Sequence, residues 1–228
     1  MKTKSLATAA AAGVTLMMAM TGTARAGLII TGVFDGPLSG GIPKVVELFA
    51  TSDIPDLSKY AAGSANNGGG TDGVELTLSG SASAGDFIYL ATETASFPTY
   101  FGFTPSLLFT GGASGGPASI NGDDAIELFY DATGAFSGSE TVVDVFGEIT
   151  HAGPGAWNYL DGWAYRNDNT GPDGSAFVIG NWSFSGINAT DNQTNNNSGS
   201  IFPIGTYVPE PASLALMGLG VLMVARRR

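Results

Sequence analysis

Between residues 27 and 187, apolar and polar positions alternate with a period of two, and glycine-rich turns interrupt the pattern roughly every 8–12 residues. Runs at 28–34, 44–51, 74–78, 86–92, 125–130, 141–147, 163–166 and 177–184 read as strands. In the second run Val46 and Leu48 share one face, while Val45, Glu47 and Phe49 share the other. Asp56-Leu57-Ser58 opens a turn into a short strand at Tyr60. A single short helix is predicted over 95–101, limited to a turn or so by Pro98. Residues 66–73 and 111–118 read as Gly-rich loops. Residues 188–200 carry almost no apolar side chains, so 188–208 is expected to be a polar linker ending in an extended segment. No long amphipathic helix competes with this pattern. The expectation is all-β: a sandwich of short strands with Gly-rich loops, not βαβ units. Glu47-Leu48-Phe49 recurs as Glu127-Leu128-Phe129, which reads as equivalent positions in two strands or as coincidence.

The two ends follow a different pattern. Lys2 and Lys4 precede an apolar stretch, residues 6–20, and Ala24-Arg25-Ala26 forms a small-x-small site, so residues 1–26 read as a signal peptide cut after Ala26 by a signal peptidase. At the other end, Pro209-Glu210-Pro211 precedes an apolar run, residues 212–225, and then Arg226, Arg227 and Arg228. Those fourteen residues would span about 21 Å as a helix, against a bilayer core of about 30 Å. The terminal arginines would stay cytoplasmic and leave the body outside. The run therefore reads as a short, transient inner-membrane anchor.

Charge sharpens once the ends are set aside. Residues 27–208 hold three basic side chains, Lys44, Lys59 and Arg166, against nineteen acidic ones, a formal charge of −16. Such a body repels nucleic acid phosphates, so no direct nucleic acid partner is expected. The chain has no cysteine, which excludes thiol chemistry, and its one histidine, His151, disfavours a protein-only zinc site.

Two resemblances follow from these residues. The ordered Pro209-Glu210-Pro211, short apolar run and Arg226–Arg228 cluster resembles the PEP-CTERM sorting signal of Gram-negative bacteria (residues 209–228 here). That resemblance implies cutting near the Pro-Glu-Pro by an exosortase-type enzyme and delivery to the cell surface or extracellular matrix. Asn121-Gly122-Asp123-Asp124-Ala125-Ile126-Glu127-Leu128, with Val142 to Gly147, Trp157, Asp56-Leu57-Ser58 and Trp182-Ser183-Phe184-Ser185, resembles the bacterial lamin-tail domain. That resemblance implies an immunoglobulin-like β-sandwich over 27–187 and a generally non-catalytic module, sometimes attached to extracellular nucleases.

The candidate sites each have two readings. Asn121, Asp123 and Asp124 place three oxygen-bearing side chains in one turn, either as calcium ligands or as an Asx-type turn entering a strand. Asn167-Asp168-Asn169-Thr170-Gly171 opens like an EF-hand loop, but Val178 stands where the bidentate Glu belongs. Trp157, Tyr159, Trp163 and Tyr165 form either a sugar-stacking platform or part of the core. Gly112-Ala113-Ser114-Gly115-Gly116 matches a nucleophile-elbow pattern without a following helix, and His151 reads as an exposed turn residue. No pair of carboxylates is singled out by spacing. The functional expectation is a non-enzymatic exported adhesion or binding module, with extracellular polysaccharide as its partner; the alternative is an extracellular hydrolase, such as a nuclease, or an accessory module of one.

Overall fold

The computed structural model describes residues 27–111, 116–151 and 155–210. The signal-peptide residues Ala24 and Ala26, most of the nucleophile-elbow match, and Pro211 with Arg226–Arg228 lie outside the described residues. Among those described, ten strands form two sheets: β1 (Leu28–Leu38), β2 (Ile42–Ala50), β3 (Tyr60–Ala65), β4 (Leu76–Thr77), β5 (Phe87–Ala91), β6 (Leu108–Thr110), β7 (Ala125–Tyr130), β8 (Thr141–Phe146), β9 (Trp163–Arg166) and β10 (Trp182–Phe184). The larger sheet runs β10-β9-β1-β2-β5-β6 and the smaller β4-β3-β7-β8. The all-β expectation holds, and the strand over 28–34 extends further, to Leu38. One local exception exists: β5 and β6 are parallel, joined by the helix α1 (Ser96–Phe101) in a small strand–helix–strand crossover.

Two apolar layers result. Leu28, Ile30, Val33, Val46, Leu48, Ile88, Leu90 and Ala164 of the larger sheet meet Ala62, Ile126, Leu128 and Phe146 of the smaller one. Trp157 and Tyr159 lie in this layer, with Phe146 meeting both rings edge-on at 5.9 and 5.3 Å. The second layer lies on the opposite face of the larger sheet, where Ile29, Phe34, Val45, Phe49 and Tyr89 project. The β2 alternation anticipated from sequence is thus realised with both faces buried.

The phase of β1 changes midway. Ile30 pairs with Leu48 and Gly32 with Glu47, so Thr31 is an extra, bulged residue. The bulge returns Val33 to the inner layer and Phe34 to the outer one.

The second layer is covered by α1 and by the chain from 188 to 208, and here the sequence expectation of a polar linker needs correction. That stretch has no helix or strand, yet Phe202 is 1% exposed and Tyr207 5%. Gly32 supplies the space: a Cβ there would come within 2.6 Å of the Phe202 ring. Asn196 Nδ2 donates to Phe202 O and its Oδ1 accepts from Phe202 N, both at 2.9 Å. Low apolar content misleads because the Asn and Thr side chains substitute for a backbone ladder. A few aromatics then suffice to dock a polar strap.

Candidate functional site

Three polar arrangements lie within this frame. The first ties the two sheets together. Where the β1–β9 ladder ends at Gly32–Tyr165, side chains take over. Arg166 Nε donates to Ile30 O at 2.6 Å, its Nη2 donates to both oxygens of Asp144 at 2.9 and 2.7 Å, and its Nη1 donates to Asp173 Oδ2 at 2.8 Å. Asp144 Oδ2 also accepts from Ile30 N at 2.8 Å and its Oδ1 from Asp173 N at 3.0 Å. The guanidinium stacks 4.5 Å from the Trp182 ring centre. Burial pushes the Asp144 carboxyl up, while Arg166 and the two backbone N–H groups pull it back.

The second arrangement contains the sequence-selected Asn121, Asp123 and Asp124. Asp124 spends one oxygen on Asn67 N (2.9 Å) and the other on Asn121 N (2.8 Å). Lys44 Nζ binds Asp35 at 2.6 Å, the Ile120 carbonyl, and Asn121 Oδ1 at 3.3 Å. An ammonium thus already serves Asn121 Oδ1, and Asp124 spends both its oxygens on backbone N–H groups. Gly122, at φ +80°, packs flush on Leu160, whose Cα a Cβ would meet at 2.2 Å. Among the described residues no group of three or more His, Asp or Glu side chains is placed to hold a metal ion.

The third arrangement holds the strap. Glu47 lies fully buried under residues 205–207. Its Oε1 accepts from Thr31 Oγ1 (2.7 Å) and Tyr165 Oη (2.8 Å), and its Oε2 accepts from Gly205 N (2.7 Å). Tyr165 Oη in turn accepts from Thr206 N at 3.0 Å and Tyr207 N at 2.9 Å, so its own proton is directed to Glu47. Val208 N donates to Asp168 Oδ1 at 2.9 Å, and Asn169 N donates to Val208 O at 2.9 Å. Four consecutive backbone donors, 205 to 208, are therefore held by side chains of the body. Burial pushes the Glu47 carboxyl up to about 7 against these hydrogen bonds. Glu127, the other member of the Glu-Leu-Phe echo, is also buried at mid-strand, on β7.

Tyr165→Phe leaves Thr206 N and Tyr207 N without their acceptor, a cost of about 1–3 kcal/mol for buried donors. Limited proteolysis checks it: the variant is expected to be cut between 205 and 208 several-fold faster than the parent, with the rest of the body still protected.

The four aromatics of the platform reading are not brought to one surface. Trp157, Tyr159 and Tyr165 are 2, 0 and 5% exposed, and the first two lie in a different layer from the third. Trp163 is half-buried on the strap side, its Nε1 bonded to Ser200 Oγ at 2.9 Å. The i, i+2 spacing does place Trp163 and Tyr165 on one face, but that face is covered by the strap. His151 is 41% exposed at its side chain, 3.6 Å from Glu148. The loop over 167–170 receives Val208.

What sequence reading missed is a groove of about 870 Å³ near the β5–β6 edge. Phe87, Tyr89 and Phe103 line it beside Asp53, Asp86 and Ser106. Phe103 is 39% exposed. Asp53 Oδ1 accepts from Ala84 N and Asp86 Oδ2 from Ser83 N, which fixes both carboxylates at the rim. The three contributing segments lie up to fifty residues apart, and nothing in their local patterns announces the meeting.

These features define an all-β body with a strap leading directly into the tail. The family comparison then identifies the tail: residues 208–228 match the PEP-CTERM protein-sorting motif. The chain therefore carries the signal of an exported protein sorted by an exosortase-type enzyme, through a membrane-anchored step, to a cell-surface or extracellular destination. The match begins at Val208, the last residue bonded to the Asp168–Asn169 backbone and side chain. No curated protein and no solved structure matches the chain. Among the described residues, no helix is long and apolar enough to cross a membrane.

Proposed function

We propose that this is a non-enzymatic exported module, displayed at the cell surface or in the extracellular matrix, that binds polysaccharide through the groove lined by Phe87, Phe103, Asp53 and Asp86. The groove carries this reading. It combines a part-exposed aromatic face with rim carboxylates held in place by backbone N–H groups, a combination suited to a neutral, hydroxyl-rich ligand. It differs from the surface aromatics that the sequence suggested, because those are consumed by packing. Among the described residues, four of the five buried acids are engaged in structural contacts, Asp35 with Lys44, Asp124 with two backbone N–H groups, Asp144 with Arg166 and Glu47 with the strap, while Glu127 keeps one oxygen without a partner. The motif order that resembles a lamin-tail domain, an immunoglobulin-like and generally non-catalytic module, fits the same reading.

The test is retention of purified protein on neutral and acidic polysaccharides, with and without calcium, for the parent and for Phe103→Ala. Phe103 is 39% exposed and its ring meets Phe97 at 5.5 Å and Tyr89 at 6.0 Å, so its truncation is expected to cost about 1–2 kcal/mol, and retention is compared at a temperature where both proteins are folded. Retention is expected to fall tenfold or more in the variant. Equal retention of both proteins would rule out the groove, and release of sugar or nucleotide fragments would favour the hydrolase alternative.

A further inference from the structure

The clamp on residues 205–208 has a geometric consequence for the anchored stage of export. Val208 is bonded to the body through both its N–H and its carbonyl. At most three residues, Pro209, Glu210 and Pro211, separate it from the apolar run that starts at Ala212. The four steps from Val208 to Ala212 reach no more than about 14 Å when fully extended. The headgroup layer on one side of a bilayer is about 5–8 Å thick. The fourteen-residue run is also shorter than the hydrocarbon core it must enter, a mismatch that draws its flanks inward.

The surface around this exit point is suited to such an approach. Val208 is 53% exposed, and the turn bearing Val178 (44%) and Ile179 (42%) is bonded to the same loop. Asn167 N donates to Asn181 O at 2.8 Å and Asn167 Nδ2 to Gly180 O at 3.2 Å, while Asn169 holds Val208. The two acids flanking this loop are engaged: Asp168 accepts from Val208 N, and Asp173 pairs with Arg166 at 2.8 Å. Three exposed apolar side chains, Val208, Val178 and Ile179, thus belong to the segments that are joined around the end of the strap.

We propose that this exit face, formed by Val208 with Val178 and Ile179, rests in the interfacial layer of the membrane while the tail is inserted, so that the exosortase-type enzyme meets the body seated on lipid rather than swinging on a tether. The occupant of the face is the bilayer that receives the tail. The strap clamp, through Glu47, Tyr165 and Asp168, positions it there.

The natural absence of cysteine makes the test direct. In the full chain, reconstituted into phosphatidylcholine vesicles carrying a headgroup-level nitroxide quencher, a fluorophore is placed at Ile179→Cys or at Ser39→Cys. Ser39 follows the far end of β1, nine residues from Ile30, and so lies up to about 30 Å from it. Quenching is expected to be at least threefold stronger at position 179 than at position 39, and to fall to the level of position 39 when ten Gly/Ser residues are inserted between Val208 and Pro209. The insertion lies beyond the clamp, so unchanged near-UV circular dichroism verifies the fold. Equal quenching at the two positions, or quenching at 179 that survives the insertion, would overturn the proposal.

Discussion

Asp144→Ala is expected to lower the unfolding free energy by about 3–5 kcal/mol, the cost of removing one partner from a buried ion pair. For a body of this size, that corresponds to a fall in melting temperature on the order of 10 °C. The loss is large because one carboxylate accepts four hydrogen bonds from three donors: two from Arg166 Nη2 and one each from Ile30 N and Asp173 N. Its removal leaves the guanidinium, which is 1% exposed, with Asp173 as its sole remaining carboxylate among the contacts described above. It also cuts the polar tie between β8 of the smaller sheet and the bulged region of β1. Urea titration of the single variant and of Asp144→Leu/Arg166→Met checks the mechanism. The double variant is expected to lose less than Asp144→Ala, because the fully buried guanidinium is gone and Asp173, which loses its cation, keeps the Asn181 Nδ2 donor at the edge of the site. A larger loss in the double variant would mean that the guanidinium acts mainly through Ile30 O and the Trp182 ring.

The second large effect is on pH dependence. Burial raises the Glu47 carboxyl from its ordinary 4.5 to about 7 in the folded chain. Between these values the folded state keeps a proton that the unfolded state releases. The stabilisation linked to Glu47 is therefore fully present below pH 4.5 and is lost as pH rises through 7. The difference corresponds to about 3 kcal/mol. In Glu47→Gln this component of the slope is expected to disappear, which the difference between parent and variant unfolding free energies across pH 4–8 isolates. Absolute stability at high pH changes less than the slope does. The amide removes the buried charge but turns an N–H toward Gly205 N, itself a donor. Identical slopes in parent and variant would place the titration elsewhere.

Both predictions concern ionisable groups held inside the fold, and that explains an oddity of composition. The body contains three basic residues, and two of them, Lys44 and Arg166, are internal ties. Its negative surface is therefore barely offset by exposed cations.

Much of the architecture was legible without coordinates. Period-two alternation placed β1, β2, β5, β7, β8 and β9 close to their positions, because a strand with a defined buried face must write that face into its own residues. Gly102, at φ +81°, closes the short helix near where Pro98 had already limited it. The sorting motif was legible for the same reason: it is a contiguous pattern, and it matches as one.

Tertiary structure alone decided the rest. β6 is three residues long, too short to carry a period, and the strand expected over 177–184 is cut to β10 by a 3-10 turn at Ile179–Asn181. The strap was unreadable because its attachment is non-local: Glu47, Tyr165 and Asp168 come from separate elements, and Gly32 makes the hole for Phe202. The four aromatics do not share one open surface, because spacing cannot say which face of a sheet is covered. Local sequence determined the strands, the turns and the address of this protein. Strand order, the buried ion ties, the groove and the fixed exit of the tail arose only when distant segments met, since hydrogen bonds and burial between them are properties of the packed chain.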